Sequence, residues 1–140
     1  MTSHNRHRIA AVLALGIGLM TIAEGMSVLL GIETKQYPVL PWLLRYNVLM
    51  GFVSLAAGIG LWMEKDRAAM LAKTILFCHG AVFLSISTMH LFGKTVAVIS
   101  IMAMLFRTAL WIVITTMIEG SAGNVNQVGK KKKAELGDKT

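Results

Sequence analysis

Among the polar side chains within the long apolar segments of this 140-residue chain, six could do chemistry. They are one glutamate, two arginines, one asparagine and two histidines, namely Glu24, Arg45, Asn47, His79, His90 and Arg107. Groups of this kind are unfavourable in hydrocarbon, and they usually face a partner, a cavity or a functional pathway. We therefore treat them as the candidates for binding a ligand or a proton. The sequence predicts no catalytic residue and no metal site.

Four of these residues belong to one layer of the membrane. With a helix rise of about 1.5 Å per residue, Glu24 lies roughly 22 Å from the inner face, in the outer half. Arg45 and Asn47 lie roughly 6–9 Å below the outer surface, and His90 is near the outer end of its segment. We expect Glu24 to pair with Arg45 or to reach His90. Such a pair forms either a proton- or ligand-binding pocket open to the outside, or a structural contact between helices.

Arg107 lies near mid-depth, where no carboxylate is expected. Glu24 is about 8–10 Å higher along the membrane normal, within reach only if both side chains extend and the helices shift. An anionic ligand, a lipid head group or a backbone carbonyl are the other partners that an arginine could find there.

The two histidines within the segments cannot bind one metal ion or one haem within a single chain, and only a dimer could build a bis-histidine haem site. His79 and His90 are eleven positions apart on one helix, which separates them by about 16 Å. Each histidine could act as an acid–base group. Alternatively, each could form a structural hydrogen bond between helices. The single cysteine, Cys78, excludes an intrachain disulfide and a CxxC motif.

Four apolar segments of 23 to 25 residues must position these side chains: 9–32, 41–63, 68–92 and 95–118. Each is about 35 Å long as a helix, enough to cross ~30 Å of hydrocarbon. The short links 64–67 and 93–94 require antiparallel neighbours. The predicted fold is an all-α, transmembrane four-helix bundle. A signal peptide is the competing interpretation of the first segment, but the apolar stretch is too long for one.

Small residues on the first two helices recur at spacings that place them on one face. We expect them to let the helices approach closely. They are Gly16, Ser27 and Gly31 on the first helix, and Asn47, Gly51, Ser54 and Gly58 on the second.

Charge predicts the orientation. The chain is 55% hydrophobic and 15% charged, with a net charge of +7. Ten of the fourteen basic residues lie on the side of the two termini and the 64–67 link, while Lys35, Arg45 and Lys94 lie on the other. The positive-inside rule then places both termini, including residues 1–8, in the cytoplasm. This distribution favours membrane lipid over nucleic acid as the partner of the basic residues.

The last segment, 119–140, is rich in Gly, Ser, Asn, Gln and Lys. Such a composition cannot form a core, so we expect a disordered cytoplasmic tail. Its four consecutive lysines, Lys130, Lys131, Lys132 and Lys133, are predicted to contact anionic lipid.

The chain resembles the DoxX-like group of small four-helix membrane proteins over roughly residues 8–118. The resemblance is carried by five stretches: Arg8-Ile9 through Glu24-Gly25, Leu29-Leu30-Gly31, Pro41-Trp42, Gly51 through Ala57-Gly58-Ile59-Gly60-Leu61-Trp62, and Ala68-Ala69 after a basic link. It implies a four-helix bundle in the bacterial cytoplasmic membrane, associated with thiol or quinone redox systems. Quinone is the only cofactor it suggests, and it implies no catalytic residues.

Three functions follow as hypotheses. The first is an accessory or scaffold subunit that binds a protein partner of a redox or stress-response system. The second is a small homo-oligomeric transporter or ligand-binding protein that uses a polar layer around Glu24, Arg45 and Arg107. The third is an enzyme acting on a lipid or quinone, with His79, His90 and Glu24 as acid–base groups. No nucleophile–base pair supports the third hypothesis.

Overall fold

The chain folds into four α-helices without a strand in the part that is described. A computed structural model describes residues 3–137, with side chains described for residues 4–65 and 67–120. The helices are α1 (Ser3–Leu29), α2 (Pro41–Trp62), α3 (Asp66–Leu91) and α4 (Val98–Gly137). Each contains a segment of 22 to 26 residues that is long and apolar enough to cross a membrane. The predicted all-α four-helix bundle is confirmed, and it fits a multi-pass integral membrane protein.

The helices begin and end at residues with defined backbone roles. Pro41 is the first residue of α2, a position where its missing N–H has no partner to lose. After α1, the N–H of Gly31 bonds to the oxygen of Val28 at 3.2 Å in a Schellman turn. That turn needs a positive φ, which Gly31 (71°) and Gly93 (72°) adopt readily. Glu64 takes the same role after α2 with φ 52°, as a non-glycine residue.

Each helix packs against its two neighbours in the cyclic order α1, α2, α3, α4 and back to α1. Within the described residues, the backbones of the diagonal pairs do not approach closely. Short connections make successive helices antiparallel, so the segments 30–40 and 92–97 lie at one end of the bundle. We call this the pocket end. The N-terminus of α1 and the 63–65 link lie at the opposite end.

Glycines bring α1 and α2 closest together. A methyl group added at Gly18 would lie 2.9 Å from the backbone oxygen of Gly51, and one added at Gly58 would lie 2.7 Å from Leu15 Cγ. The expected close approach is therefore real for Gly51 and Gly58. On α1, however, the contacting residue is Gly18 and not Gly16, which has no atom within 4 Å of an added methyl group.

The interior has two apolar clusters, one above the other. The larger cluster is near the end opposite the pocket end and contains Ala10, Ala11, Ala14, Met50, Ala57, Leu61, Ala68, Ala72, Ile75, Trp111, Ile114 and Ile118. The smaller one is at the pocket end and contains Leu43, Ile86, Val96 and Met104. Large apolar side chains also cover the outside, where Phe77 is 76% exposed. An outer apolar surface is what a lipid-facing bundle requires.

The observed helix boundaries differ from the predicted ones at two places near the pocket end. Helix α1 stops at Leu29, three residues before the predicted 9–32 segment ends, because the Gly31 turn follows. Helix α4 starts at Val98 and not at 95, which lengthens the connection from α3 to residues 92–97.

Helix α4 also continues well beyond the predicted end of the fourth segment. It reaches Gly137, whereas the composition of 119–140 predicts an unstructured tail. The segment has no proline, and its Lys, Ala, Glu and Leu residues are compatible with helix. The side chains of Lys130 to Lys133 lie outside the described residues, so their contact with lipid stays a prediction.

Candidate functional site

A cavity of about 450 Å³ opens at the pocket end, between α1, α2, the first turns of α4 and the 33–40 connection. We call it the charged pocket. Its ionisable lining includes two acids and two bases, which are Glu24, Glu33, Lys35 and Arg107. A volume of this size falls within the range of small-molecule sites, and four charged groups converging on it are unusual for helix packing alone.

The four charged groups form a chain of alternating sign. Lys35 Nζ lies 2.6 Å from Glu33 Oε1 and 3.7 Å from Glu24 Oε1. The second oxygen of Glu24, Oε2, accepts a hydrogen bond of 3.3 Å from Arg107 Nη2. Glu24 therefore bridges a lysine from the α1–α2 connection and an arginine from α4, and the four groups together carry no net charge.

Arg107 is the most deeply placed member of this chain. Its Nε donates a hydrogen bond of 3.3 Å to Thr21 Oγ1, and its Nη2 donates to Glu24. A guanidinium has five N–H donors. Within the described part of the chain no other acceptor is bonded to Arg107, although its side chain is only 9% exposed. Its unused donors are therefore available to an acceptor atom inside the pocket.

The acids and the bases differ in accessibility. The side chains of Glu24 and Glu33 are 53% and 49% exposed, against 17% for Lys35 and 9% for Arg107. The hydrogen bond with Glu33 raises the pKa of Lys35, which lies in the connection outside the helices, above its ordinary value, and burial opposes this effect. The two carboxylates are therefore accessible to a molecule in the pocket, whereas the two cations are largely covered.

Apolar side chains fill the bundle below the pocket. Trp111, one turn beyond Arg107 on α4, is fully buried and belongs to the larger apolar cluster together with Ile75 and Ile114. None of the residues that line the charged pocket belongs to that cluster. Among the described residues, the pocket thus reaches no deeper on α4 than Arg107.

Asn47 also lines the pocket. Its Oδ1 is buried, with no hydrogen-bond partner among the residues that the structure describes. An unpaired amide oxygen in an apolar layer is unfavourable. The amide oxygen of Asn47 is therefore a buried polar atom whose partner the described residues do not supply.

Three of the six predicted site residues lie elsewhere. Arg45 is exposed on α2, and neither Glu24 nor any other described acid pairs with it, so the predicted Glu24–Arg45 contact is wrong. His90 does not reach Glu24 either, because its Nδ1 donates to the Val96 oxygen at 3.2 Å. His79 is buried between helices, where it hydrogen-bonds with the Tyr46 hydroxyl at 3.0 Å.

Sequence reasoning missed Lys35, Glu33 and Thr21 as members of the site. Lys35 and Glu33 belong to a connection, so they count as surface residues unless that connection folds over the helix ends. A hydroxyl such as that of Thr21 carries little signal in a sequence. The available signal was the Glu-x-Lys spacing just after α1, which places opposite charges beside the end of the helix that carries Glu24.

The comparisons with known proteins add no assignment to this geometry. No family model, no curated protein and no solved structure matches the chain.

Proposed function

We propose that this small integral membrane protein binds a zwitterionic small molecule in the charged pocket. The observation that carries the proposal is the balanced chain of Glu33, Lys35, Glu24 and Arg107 around an open cavity of about 450 Å³. Binding, and not conduction, is the function we favour because no residue of the larger apolar cluster, which fills the bundle beyond Arg107, lines the pocket.

The charge balance selects the class of ligand. A ligand with a net charge would leave that charge uncompensated in a region bordered by hydrocarbon, which is unfavourable. A zwitterion adds no net charge. Its anionic oxygens can accept from the unused N–H groups of Arg107, and its cationic group can approach the accessible carboxylates of Glu24 and Glu33.

A quinone, suggested by the resemblance to the DoxX-like group, is the alternative ligand. Its carbonyl oxygens would suit Arg107 in the same way. In its oxidised form it has no donor for Glu24 and Glu33, so those carboxylates would lose water without gaining a partner. We therefore favour the zwitterion.

Thermal unfolding of the purified protein in mild detergent tests the proposal. The probes are glycerophosphoethanolamine (zwitterion), glycerol 3-phosphate (anion), ethanolamine (cation) and a short-chain quinone. A ligand present at 100 times its Kd stabilises the folded state by about 2.7 kcal/mol. We expect the zwitterion alone to raise the Tm of the wild type and of Arg45→Gln, and to leave Arg107→Gln unchanged. A shift produced by another probe, or one retained in Arg107→Gln, would refute the proposal.

An accessory or scaffold role for a protein partner in a redox or stress-response system is the second proposal. The exposed apolar faces of the helices suit lipid and a membrane partner equally. Native mass spectrometry after extraction in mild detergent distinguishes the two proposals. A complex with a second protein would favour the accessory role, and a lone homo-oligomer would favour ligand binding.

A further inference from the structure

A second, smaller cavity of about 150 Å³ adjoins the charged pocket between α1 and α4. We call it the lateral cleft. Four residues line both cavities, namely Thr21, Glu24, Ala103 and Arg107. The ion pair of Glu24 and Arg107 is thus the boundary between them, with the charged pocket on one side and the lateral cleft on the other.

The remaining walls of the lateral cleft are apolar and face outward. They are formed by Ile17, Met20 and Phe106. Met20 is 69% exposed and Phe106 is 61% exposed, on helices that are long and apolar enough to cross the membrane. The cleft therefore opens toward the lipid, whereas the charged pocket opens at the helix ends.

The two cavities also lie at different depths. Ile17 is twelve residues before the end of α1, which places it about 18 Å along the helix from the pocket end. The charged groups Glu33 and Lys35 belong to the connection beyond that end. The polar site thus lies near the membrane surface, and the apolar cleft beside it lies closer to the bilayer centre. A lipid in one leaflet has the same arrangement, with a polar head group at the surface and hydrocarbon chains below it.

We infer that the ligand is a zwitterionic amphiphile that reaches the site from the bilayer, between α1 and α4. Its head group occupies the charged pocket, and the first part of one hydrocarbon chain occupies the lateral cleft. This inference rests on the proposed binding function and adds the chain and the route. The side chains shared by the two cavities support it, because the apolar cleft beside the charged groups offers contacts to a hydrocarbon chain, which a water-soluble zwitterion lacks.

Native mass spectrometry of the full-length protein in detergent, titrated with defined probes, tests the inference. Lysophosphatidylethanolamine has the zwitterionic head and one chain, glycerophosphoethanolamine has the head alone, and lysophosphatidylglycerol has the chain with an anionic head. We expect one lysophosphatidylethanolamine per chain, bound at least about tenfold more tightly than either other probe. A tenfold difference corresponds to about 1.4 kcal/mol.

Substitutions that fill the cleft provide the variants. Ile17→Phe and Met20→Phe add bulk to residues that line the lateral cleft alone. Each is expected to weaken lysophosphatidylethanolamine binding at least about tenfold while leaving the binding of the head alone within about twofold. Leu19→Phe is the matched control, since Leu19 is an exposed residue of α1 that lines neither cavity. Two cleft variants are used so that the test still stands if one of them fails to fold.

Failures of the two proposals are distinguishable. If the head alone binds as tightly as the single-chain lipid, or if both cleft variants bind the lipid like Leu19→Phe, the amphiphile inference is wrong while the binding function stands. If Arg107→Gln retains the affinity for both zwitterionic probes, the charged pocket is not the site. Tighter binding of lysophosphatidylglycerol would contradict the zwitterionic head.

Discussion

Arg107 on α4 and Glu24 on α1 form an ion pair of 3.3 Å although 83 residues separate them in the chain. Arg107 is also bonded to Thr21, one turn before Glu24 on the same helix. The pair therefore ties α1 to α4 at the boundary between the charged pocket and the lateral cleft. Its energetic contribution can be measured separately from its role in binding.

We expect Arg107→Gln to lower the free energy of unfolding by about 1–3 kcal/mol, because Glu24 and Thr21 lose their charged donor. The value is below that for a fully buried pair, since Glu24 is half-exposed and keeps Lys35. Equilibrium unfolding in mild detergent gives the measurement. Arg45→Gln, the same substitution at an exposed arginine, should change stability by less than about 0.5 kcal/mol.

A double-mutant cycle with Glu24→Gln then isolates the pair. We expect a coupling energy between the two positions of about 1 kcal/mol or more, as for residues in direct contact. Additive effects would mean that the two side chains do not interact. Glu24→Gln with unchanged stability and lost ligand binding would assign the carboxylate to function alone.

The offset between Glu24 and Arg107 was overestimated when their depths were compared across the membrane. From the observed helix ends at Leu29 and Val98, Glu24 and Arg107 are five and nine residues from the pocket end. The difference of four residues is about 6 Å along the axis, which an extended arginine side chain spans without a helix shift. The predicted ends at 32 and 95 give the same difference, so counting both residues from the pocket end is the better measure.

The four spans and their antiparallel order could be predicted because twenty-residue apolar segments separated by short links leave few alternatives. The partners of the polar residues could not, because hydropathy does not determine how each helix is rotated about its axis. Arg45 illustrates this, since its depth is compatible with Glu24 but its side chain is exposed and forms no ion pair with Glu24. The position of Lys35 depends on a connection whose path no periodicity describes.

The close contact of α1 and α2 predicts opposite effects for two glycines of the same helix. Gly18→Ala places a methyl group 2.9 Å from the Gly51 backbone oxygen, which cannot move without the helix. We expect a loss of about 1–3 kcal/mol in the free energy of unfolding. Gly16→Ala meets no atom within 4 Å, so it should be neutral or stabilise α1 by up to about 1 kcal/mol. Equal effects of the two substitutions would contradict the observed packing.

The raised pKa of Lys35 predicts that the stability of the folded protein depends on pH in the alkaline range. Its pKa is raised above the ordinary value, first by the hydrogen bond with Glu33 and also by the charges of Tyr37, Glu33 and Glu24. A raised pKa in the folded state means that the stabilisation is complete below the unfolded pKa of about 10.4 and disappears as the pH rises through the folded pKa.

We therefore expect Lys35→Met to lower the Tm by the same amount at pH 7 and pH 9, and by less at pH 11. The contribution is small, about 1 kcal/mol or below, because the partners are half-exposed. Tyr37→Phe is the control background, since the charge of Tyr37 is one of the causes that raise the pKa of Lys35. A difference between wild type and Lys35→Met that already falls between pH 7 and pH 9 would show that another group is responsible.

The distribution of basic residues predicts that the charged pocket opens to the outside of the cell, because both termini are predicted to be cytoplasmic. Cysteine labelling tests this in a Cys78→Ser background, where an added cysteine is the only thiol. Thr34→Cys is exposed at the pocket end, and Lys65→Cys is exposed at the opposite end. A membrane-impermeant thiol reagent should label Thr34→Cys in intact cells, and Lys65→Cys only after permeabilisation. The reverse labelling pattern would show that the bundle has the opposite orientation and that the charged pocket faces the cytoplasm. A zwitterionic amphiphile would then have to come from the inner leaflet.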